Sequence, residues 1–235
     1  MELSIVFPAY NEEKRISKVL ENYFSFFSSK LKNSFEIIIV PNNCKDKTFE
    51  ISKEFSRDKE NVFVENIPYY VGKGGAVMRG FEMARGNFVG FVDADKSTSP
   101  EEFLKIYVNS MGFHGAIGSR KIKGSKVVPK RVFSKRISSA FFSLVVKFLL
   151  DLKYKDTQCG AKVFRKDVAK FLSEKIHEKG WIFDIDILNV CKKNNLNIKE
   201  IPITWVDDEG SHISSIDGVK SILRLFRYRF SKYPK

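Results

Sequence analysis

The sequence predicts an α/β fold in which a mostly parallel central sheet carries helices on both faces. Four apolar runs rich in Ile, Val and Phe alternate with segments of helical character in the first half of the chain. Parallel strands that are covered on both faces are typically continuous apolar runs, and each one needs a crossover, usually a helix, to reach the next. Polar residues follow three of these runs, at the sheet edge where open folds of this class bind ligands.

The predicted elements follow one another without a linker or an internal repeat. Runs of β-branched and aromatic residues predict the strands, and longer segments with mixed polarity between them predict the helices. We expect strands at 3–7, 35–40, 61–66, 87–92, 115–118 and 198–206, and helices at 12–27, 47–55, 74–84, 101–109, 183–193 and about 215–233. We therefore expect one domain over 1–212, with halves at 1–118 and 119–212, and a C-terminal amphipathic helix at 213–235.

The composition is that of a globular protein with an anionic partner. Hydrophobic residues make up 43% of the 235 residues and charged residues 29%, and the net charge is +13. Such a charge is typical of proteins that bind nucleic acid, phosphorylated substrates or acidic membrane surfaces. Three widely spaced cysteines argue against a disulfide scaffold and for a reducing compartment; they are Cys44, Cys159 and Cys191.

Two carboxylates follow the fourth predicted strand as Asp93-Ala94-Asp95. Alternate residues of an extended segment face the same way, so Asp93 and Asp95 can share one face while Ala94 turns from it. Mg²⁺ and Mn²⁺ prefer carboxylate oxygens and keep positions open for phosphate oxygens. The alternative is that these two residues cap the helix that begins near Pro100.

Two basic segments are candidate anion sites. The turn Gly72-Lys73-Gly74-Gly75 opens a helix, where backbone N–H groups favour an anion, although a simple two-glycine turn is the alternative. A predicted loop over 120–136 carries basic residues and no acidic one, which favours an anion site over solvated charges. The basic residues of this loop are Arg120, Lys121, Lys123, Lys126, Lys130, Arg131, Lys135 and Arg136.

Two segments predict contact with a membrane surface. The apolar segment 137–150 is shorter than the roughly 20 residues that a membrane-spanning helix needs. The last predicted helix places Val219, Ile222, Leu223, Phe226 and Phe230 at helical spacing among Lys220, Arg224, Arg227, Arg229 and Lys232. A basic amphipathic helix suits an anionic bilayer interface, and packing of its apolar stripe on the sheet is the alternative. We expect a cytoplasmic protein, peripheral on the inner face of the membrane.

Six motifs together resemble family-2 inverting glycosyltransferases of the GT-A fold, which has a mostly parallel, Rossmann-like sheet. They are PAYNEE at 8–13, GKGGAVMRG at 72–80, DAD at 93–95, GSR at 118–120, DTQCGAKVF at 156–164 and WIFDIDIL at 181–188. With EGS at 209–211, the later motifs most closely resemble dolichyl-phosphate glucosyltransferases, and next dolichyl-phosphate mannose synthases. The resemblance covers nearly the whole chain.

The resemblance implies a role for each matching residue. The donor base and ribose would lie against Pro8, Ala9, Tyr10 and Glu12. Asp93 and Asp95 would hold the diphosphate of the donor through Mg²⁺ or Mn²⁺. Lys73, Gly74 and Ala94 would also contact the donor. The acceptor phosphate would contact Arg120 and a second basic residue among Arg131, Lys135 and Arg136. Asp184 and Asp186 are the rival candidates for a catalytic base, and their spacing lets only one of them face the site if they lie in a helix. Asp184 is the favoured one, with helix capping as its alternative.

Two departures from the family pattern bear on the donor site. Asn42 replaces an acidic residue after the second strand, where it offers an uncharged carbonyl oxygen to a base N–H. His212 follows EGS where the glucosyltransferases commonly have Lys. It can still touch the diphosphate when protonated, and the alternative is a loop histidine without a role.

The function that the resemblance implies is transfer of a hexose from a nucleotide-diphosphate sugar, UDP-glucose favoured, to a polyprenyl or dolichyl phosphate. The alternatives are a mannose synthase that uses GDP-mannose and a transferase that acts on a lipid-linked oligosaccharide. Expected partners are the nucleotide sugar, the lipid phosphate and an anionic membrane surface. Nucleic acid is not expected, because no recognised binding motif is present and an acidic crevice without metal would repel phosphates.

Overall fold

The computed structural model of the protein describes residues 1–129, 133–176, 178–180, 182–206 and 225–228. The strands are β1 Leu3–Ala9, β2 Phe35–Pro41, β3 Val62–Val64, β4 Phe88–Val92, β5 Gly115–Ser119, β6 Lys126–Val128, β7 Ala161–Arg165, β8 Ile198–Pro202 and β9 Thr204–Val206. The helices are α1 Ile16–Leu31, α2 Thr48–Ser56, α3 Gly72–Met83, α4 Pro100–Ser110, α5 Phe133–Leu150, α6 Lys166–Lys175 and α7 Phe183–Lys193.

The central sheet has seven strands in the order β3-β2-β1-β4-β7-β5-β8. Every neighbouring pair is parallel except those that involve β7, which runs antiparallel to both β4 and β5. The predicted fold class, a mostly parallel sheet with helices on both faces, is confirmed. Because β7 is antiparallel to both β4 and β5, the strands β4 and β5 run in the same direction. The strands β5 and β8 therefore end at the same sheet edge as β1, β2 and β4.

The hydrophobic core lies in two layers, one on each face of the sheet. Along β1, Ile5 and Phe7 join one cluster with α1 and α4, whereas Val6 joins the other with α3, α6 and α7. This division follows from the alternation of side chains along a strand. Both layers fix the positions of the strand ends, which carry the candidate site.

Sequence reasoning missed β7 and α6 and merged two strands into one. The strand β7 contains Lys162, a charged residue that interrupts its apolar pattern but is fully buried. The predicted strand at 198–206 is β8 in the central sheet followed by β9, which pairs with β6 in a separate two-stranded sheet. The predicted basic loop over 120–136 therefore contains β6 and the start of α5.

Leu225 and Tyr228 of the C-terminal segment pack on the core. Of the predicted helix at 213–235, the structure describes residues 225–228, which are helical. Leu225 is fully buried in the cluster with α3 and α7, Tyr228 packs beside it, and Phe226 is exposed. The sequence analysis gave packing of this helix on the core as the alternative to membrane contact. The buried side of residues 225–228 agrees with that alternative. The division of the chain at residue 118 stays a prediction.

No helix among the described residues combines the length and the apolar character that crossing a bilayer requires.

Candidate active site

The candidate site lies at the edge of the sheet where β1, β2, β4 and β5 end. Ala9 pairs with Pro41 in register, so the residues that follow, Tyr10 and Asn42, lie side by side. Asp93 follows β4, and Arg120 follows β5 at the same edge. The convergence expected from the strand pattern is therefore observed, and it places aromatic, amide, acidic and basic groups around one crevice.

The residues that are predicted to contact the base and ribose of the donor lie at the end of β1 and just after it, and they differ in exposure. Pro8 and Ala9 are buried in the strand, whereas Tyr10 is 52% exposed beside it. The carbonyl of Ala9 accepts the backbone N–H of Asn42 at 2.9 Å. Glu12 donates its backbone N–H to Thr48 Oγ1 at 2.7 Å. Burial raises the pKa of the Glu12 carboxyl, and this effect outweighs its contact with Arg15.

Asn42 presents an unpaired acceptor at this edge. Its side chain is 3% exposed, and Nδ2 donates to the carbonyl of Ala9 at 3.4 Å. Its Oδ1 has no hydrogen-bond partner within the part of the chain that the structure describes. A buried carbonyl oxygen without a partner costs free energy, so an N–H group of a ligand would be bound favourably here.

Asp93 and Asp95 face the crevice while Ala94 packs into the core, as the alternation predicts. Asp93 Oδ1 lies 2.5 Å from Lys73 Nζ. Asp95 Oδ1 accepts the backbone N–H of Ser97 at 3.0 Å. Burial and the charge of Asp93 together raise the pKa of Asp95.

The capping alternative for these two carboxylates is wrong. The helix α4 is capped by Ser99, whose side chain accepts the backbone N–H of Glu102. Within the described ranges, no group of three or more His, Cys, Asp and Glu residues can hold a metal ion. Two carboxylates are a donor set that suits Mg²⁺ or Mn²⁺ with ligand phosphate oxygens in the remaining positions, so the residues present fit such an ion.

Gly160 makes room for the Asp93 carboxylate. It accepts the backbone N–H of Asp93 at 3.0 Å, and a Cβ added to Gly160 would lie 1.9 Å from Asp93 Oδ2. The glycine of the DTQCG motif is thus required by the carboxylate. Sequence reasoning quoted the motif but gave Gly160 no role, because contact with Asp93 becomes visible only when β4 and β7 pair.

The turn that opens α3 packs closely against the backbone of Lys179. The backbone N–H of Gly74 donates to the carbonyl of Lys179 at 3.1 Å, so the amide is not available to a ligand. Gly72 has a φ of +69°, and a Cβ there would lie 2.1 Å from the same carbonyl oxygen. The contribution of Gly74 to donor binding stays a prediction, and its backbone N–H is already used in the contact with Lys179. Lys73 remains as the residue of this turn that faces the site.

Asp184 is buried and already paired. Its carboxylate forms an ion pair with Lys162, which is fully buried and also donates to the carbonyl of Cys159 at 2.6 Å. The helix α7 has no side-chain capping hydrogen bond at its N-cap, Ile182, so the capping alternative for Asp184 is wrong. Asp186 faces elsewhere and accepts the hydroxyl of Tyr228 at 2.5 Å.

Arg120 is held by a residue that sequence reasoning did not single out. Its Nε and Nη2 donate to Asp156 Oδ2 and Oδ1 at 2.7 and 2.8 Å, and its guanidinium lies over the ring of Trp205. Burial opposes ionisation of Asp156, but the Arg120 guanidinium outweighs it and holds the pKa of the carboxyl well below its usual range. Glu200 accepts the backbone N–H of Asp156 at 2.8 Å and so fixes the turn.

Other predicted residues lie beyond the described site. Arg131 and His212 lie outside the described residues, as do Trp181 and the EGS segment. Lys135 and Arg136 lie at the start of α5.

Comparison with known proteins agrees with this arrangement. The family model described as "Glycosyl transferase family 2" matches residues 4–172. The chain is 35% identical to dolichyl-phosphate beta-glucosyltransferase of Dictyostelium discoideum over 96% of this chain and 74% of the relative. It is 34% identical to the Saccharomyces cerevisiae protein of the same name, over 93% and 71%.

Solved structures show the same fold. Glucosyl-3-phosphoglycerate synthase from Mycobacterium tuberculosis, in complex with phosphoglyceric acid, superimposes with a TM-score of 0.68 at 18% identity, covering 97% of this chain and 79% of that one. The complex of that enzyme with Mn²⁺, UDP-glucose and phosphoglyceric acid gives the same TM-score at 16% identity and the same coverage. With the family model and the relatives, this establishes that the chain is a glycosyltransferase and belongs to glycosyl transferase family 2.

Proposed function

We propose that the protein transfers glucose from UDP-glucose to a dolichyl or other polyprenyl phosphate, with inversion and with Mg²⁺ or Mn²⁺. The observation that carries this proposal is the Asp93–Asp95 pair at the sheet edge between Asn42 and Arg120. The names of the relatives support the sugar and the acceptor. The complex of the similar solved structure with Mn²⁺ and UDP-glucose supports the donor and the metal. The product would be a lipid-linked sugar for protein glycosylation or cell-surface glycans.

The proposed reaction needs no general base. A phosphate monoester is ionised at neutral pH, so one of its oxygens can attack the anomeric carbon directly. The new bond joins that oxygen to the anomeric carbon, the bond to the diphosphate breaks, and UDP leaves from the opposite face. Asp93 and Asp95 would hold the metal ion, which would supply Lewis acidity to the departing diphosphate. Pairing of Asp184 with Lys162 agrees with a reaction in which no carboxylate accepts a proton.

We assign the acceptor phosphate to Arg120. Its bidentate contact with Asp156 uses Nε and Nη2, so among the described residues Nη1 keeps its N–H groups for a ligand. Asp156 and Trp205 fix the direction of the guanidinium, so the remaining donor is presented in one orientation. A second contact from Arg131, Lys135 or Arg136 stays part of the proposal.

We assign the donor base to the end of β2. The unpaired Oδ1 of Asn42 suits the imide N–H of uracil, which needs one neutral acceptor. His212, which follows the last described strand after a short segment, stays a candidate contact of the diphosphate.

The first prediction concerns donor choice. UDP-glucose with Mn²⁺ should raise the melting temperature, because a ligand at ~100 times its Kd adds about 2.7 kcal/mol to the free energy of unfolding. For a chain of this size that is a shift of roughly 5–10 °C. GDP-mannose under the same conditions should give a much smaller shift. A larger shift with GDP-mannose would assign the protein to the mannose synthases instead.

We further propose that the exposed side of α5 rests on the membrane, on the cytoplasmic face. Leu144 is 64% exposed and Phe148 is 87% exposed, with the exposed Lys147 beside them. The opposite side of the helix, at Val146 and Leu150, is buried in the core. Two apolar side chains one helical turn apart beside a lysine suit an anionic bilayer interface.

The second prediction tests this surface. The double variant Leu144→Ser, Phe148→Ser should lower binding to anionic liposomes by at least about tenfold, because burial of one such side chain contributes about 1.5–3 kcal/mol. Liposome flotation measures the bound fraction, which should also fall with added salt. The matched control is Val108→Ser, since Val108 is 50% exposed on α4, on the other face of the sheet. Equal flotation of the double variant and the control would remove α5 from the proposed membrane surface.

A further inference from the structure

The ammonium group of Lys73 forms an ion pair with Asp93, one of the two carboxylates that are proposed to bind the metal ion. Lys73 Nζ lies 2.5 Å from Asp93 Oδ1, and both side chains are only partly exposed. The rings of Phe91 and Phe183 lie 5.9 and 5.6 Å from the same Nζ, on the core side of the ammonium. Aromatic faces favour a nearby cation, so this position is a stable one for the lysine.

The carboxylate has little freedom to avoid the lysine. Its other oxygen, Oδ2, lies so close to Gly160 that a Cβ there would be 1.9 Å away, and the Asp93 backbone is fixed by the hydrogen bond to the Gly160 carbonyl. The buried carboxylate nearby, Asp184, is already paired with Lys162. A metal ion that binds Asp93 must therefore compete with the ammonium of Lys73 for the same oxygen.

We propose that Lys73 holds the place of the metal ion in the free enzyme and moves to the donor diphosphate when metal and nucleotide bind together. This inference rests on the proposed function, since it assumes a metal on Asp93 and Asp95. A divalent ion alone meets a carboxylate that is already neutralised. A diphosphate brings negative charge that attracts the ammonium and frees Asp93 for the metal. Lys73 thus couples the binding of the metal ion to the binding of the nucleotide.

The coupling has a reciprocal consequence that can be measured without catalysis. If the nucleotide raises the affinity for the metal, the metal raises the affinity for the nucleotide by the same factor. Removal of the ammonium should strengthen binding of the metal alone and weaken binding of the nucleotide, so the coupling factor should shrink. A merely structural lysine would not move these two affinities in opposite directions.

The third prediction is that Lys73→Met binds Mn²⁺ alone about tenfold more tightly than the wild type, a change that corresponds to about 1.4 kcal/mol. In the presence of saturating Mn²⁺ the same variant should bind UDP about tenfold more weakly. Electron paramagnetic resonance of free Mn²⁺ measures the first quantity, and calorimetric titration with UDP measures the second. Lys73→Arg keeps the positive charge and should keep Mn²⁺ binding weak without UDP.

The control is Arg79→Met, which removes one positive charge from the same helix at an exposed position. It should leave both affinities at the wild-type values. Equal or weaker Mn²⁺ binding by Lys73→Met, with a melting curve like that of the wild type, would overturn the inference.

The same titrations distinguish a wrong assignment of Lys73 from a wrong assignment of the metal site in the proposed function. Loss of Mn²⁺ binding in Asp95→Asn together with unchanged binding in Lys73→Met would overturn the role of Lys73 alone. If the wild type binds no Mn²⁺ with or without UDP, the proposed metal site falls and the role of Lys73 falls with it.

Discussion

Replacement of Asp95 by Asn is expected to lower the rate of sugar transfer by about 10²–10³-fold or more, because electrostatic stabilisation of the leaving group by one site is worth that much. Asparagine keeps an oxygen that can accept from Ser97 but loses the negative charge that would hold the cation. Transfer of radiolabelled glucose at saturating donor and acceptor measures the effect.

The same variant should not destabilise the fold. Burial and the neighbouring charge of Asp93 raise the pKa of Asp95, so the ionised carboxylate costs stability above that pKa. Asparagine carries no charge, and we expect a melting temperature at pH 7 equal to or higher than that of the wild type. The matched control is Asp58→Asn, an exposed carboxylate that follows α2, which should change neither quantity. Full activity of Asp95→Asn, or activity in EDTA, would contradict the metal assignment.

Lys162→Met is expected to destabilise the protein by about 3–5 kcal/mol, the usual cost of removing one partner from a buried ion pair. The lysine is fully buried, so its loss leaves the Asp184 carboxylate in the core without its cation. Urea unfolding monitored by circular dichroism gives the free energy of unfolding. Asp184→Leu alone should cost a similar amount, because it leaves the ammonium unpaired.

The double variant Lys162→Met, Asp184→Leu should be less destabilised than the sum of the two single variants, since no unpaired charge remains. We also expect it to retain transfer activity within about tenfold of the wild type, a change of about 1.4 kcal/mol in the barrier. Additive destabilisation would contradict the ion pair. Loss of activity with near-normal stability would restore Asp184 as a catalytic base.

The parallel part of the sheet was predictable because its strands are apolar on both faces. The runs that became β1 and β4 contain no charged side chain, and β2 contains one, the buried Glu36. The positions after these runs followed from the common direction of parallel strands. This is why Asn42, Asp93 and Asp95 could be placed at one edge before the structure was known. In β7 the buried Lys162 breaks the pattern, and its partner Asp184 lies 22 residues further along the chain.

The candidate site was less predictable where residues act through distant partners. Arg120 is bound by Asp156, 36 residues away, and nothing local in the sequence marks that pair. Gly160 acts by the absence of a side chain beside Asp93, which becomes evident only once β7 lies against β4. The glycine turn at the start of α3 has a local signature that suits an anion, but the backbone N–H of Gly74 donates to the carbonyl of Lys179.

The most direct test of the proposed function is transfer of label from UDP-[¹⁴C]glucose into the organic phase in the presence of dolichyl phosphate and Mn²⁺. The proposal predicts that label enters the lipid fraction only when both are present, that mild acid releases it as glucose, and that the Asp95→Asn variant transfers it at least about 10²-fold more slowly. Label that stays in the aqueous phase with dolichyl phosphate, but enters lipid when GDP-[¹⁴C]mannose or a lipid-linked oligosaccharide is supplied, would contradict it.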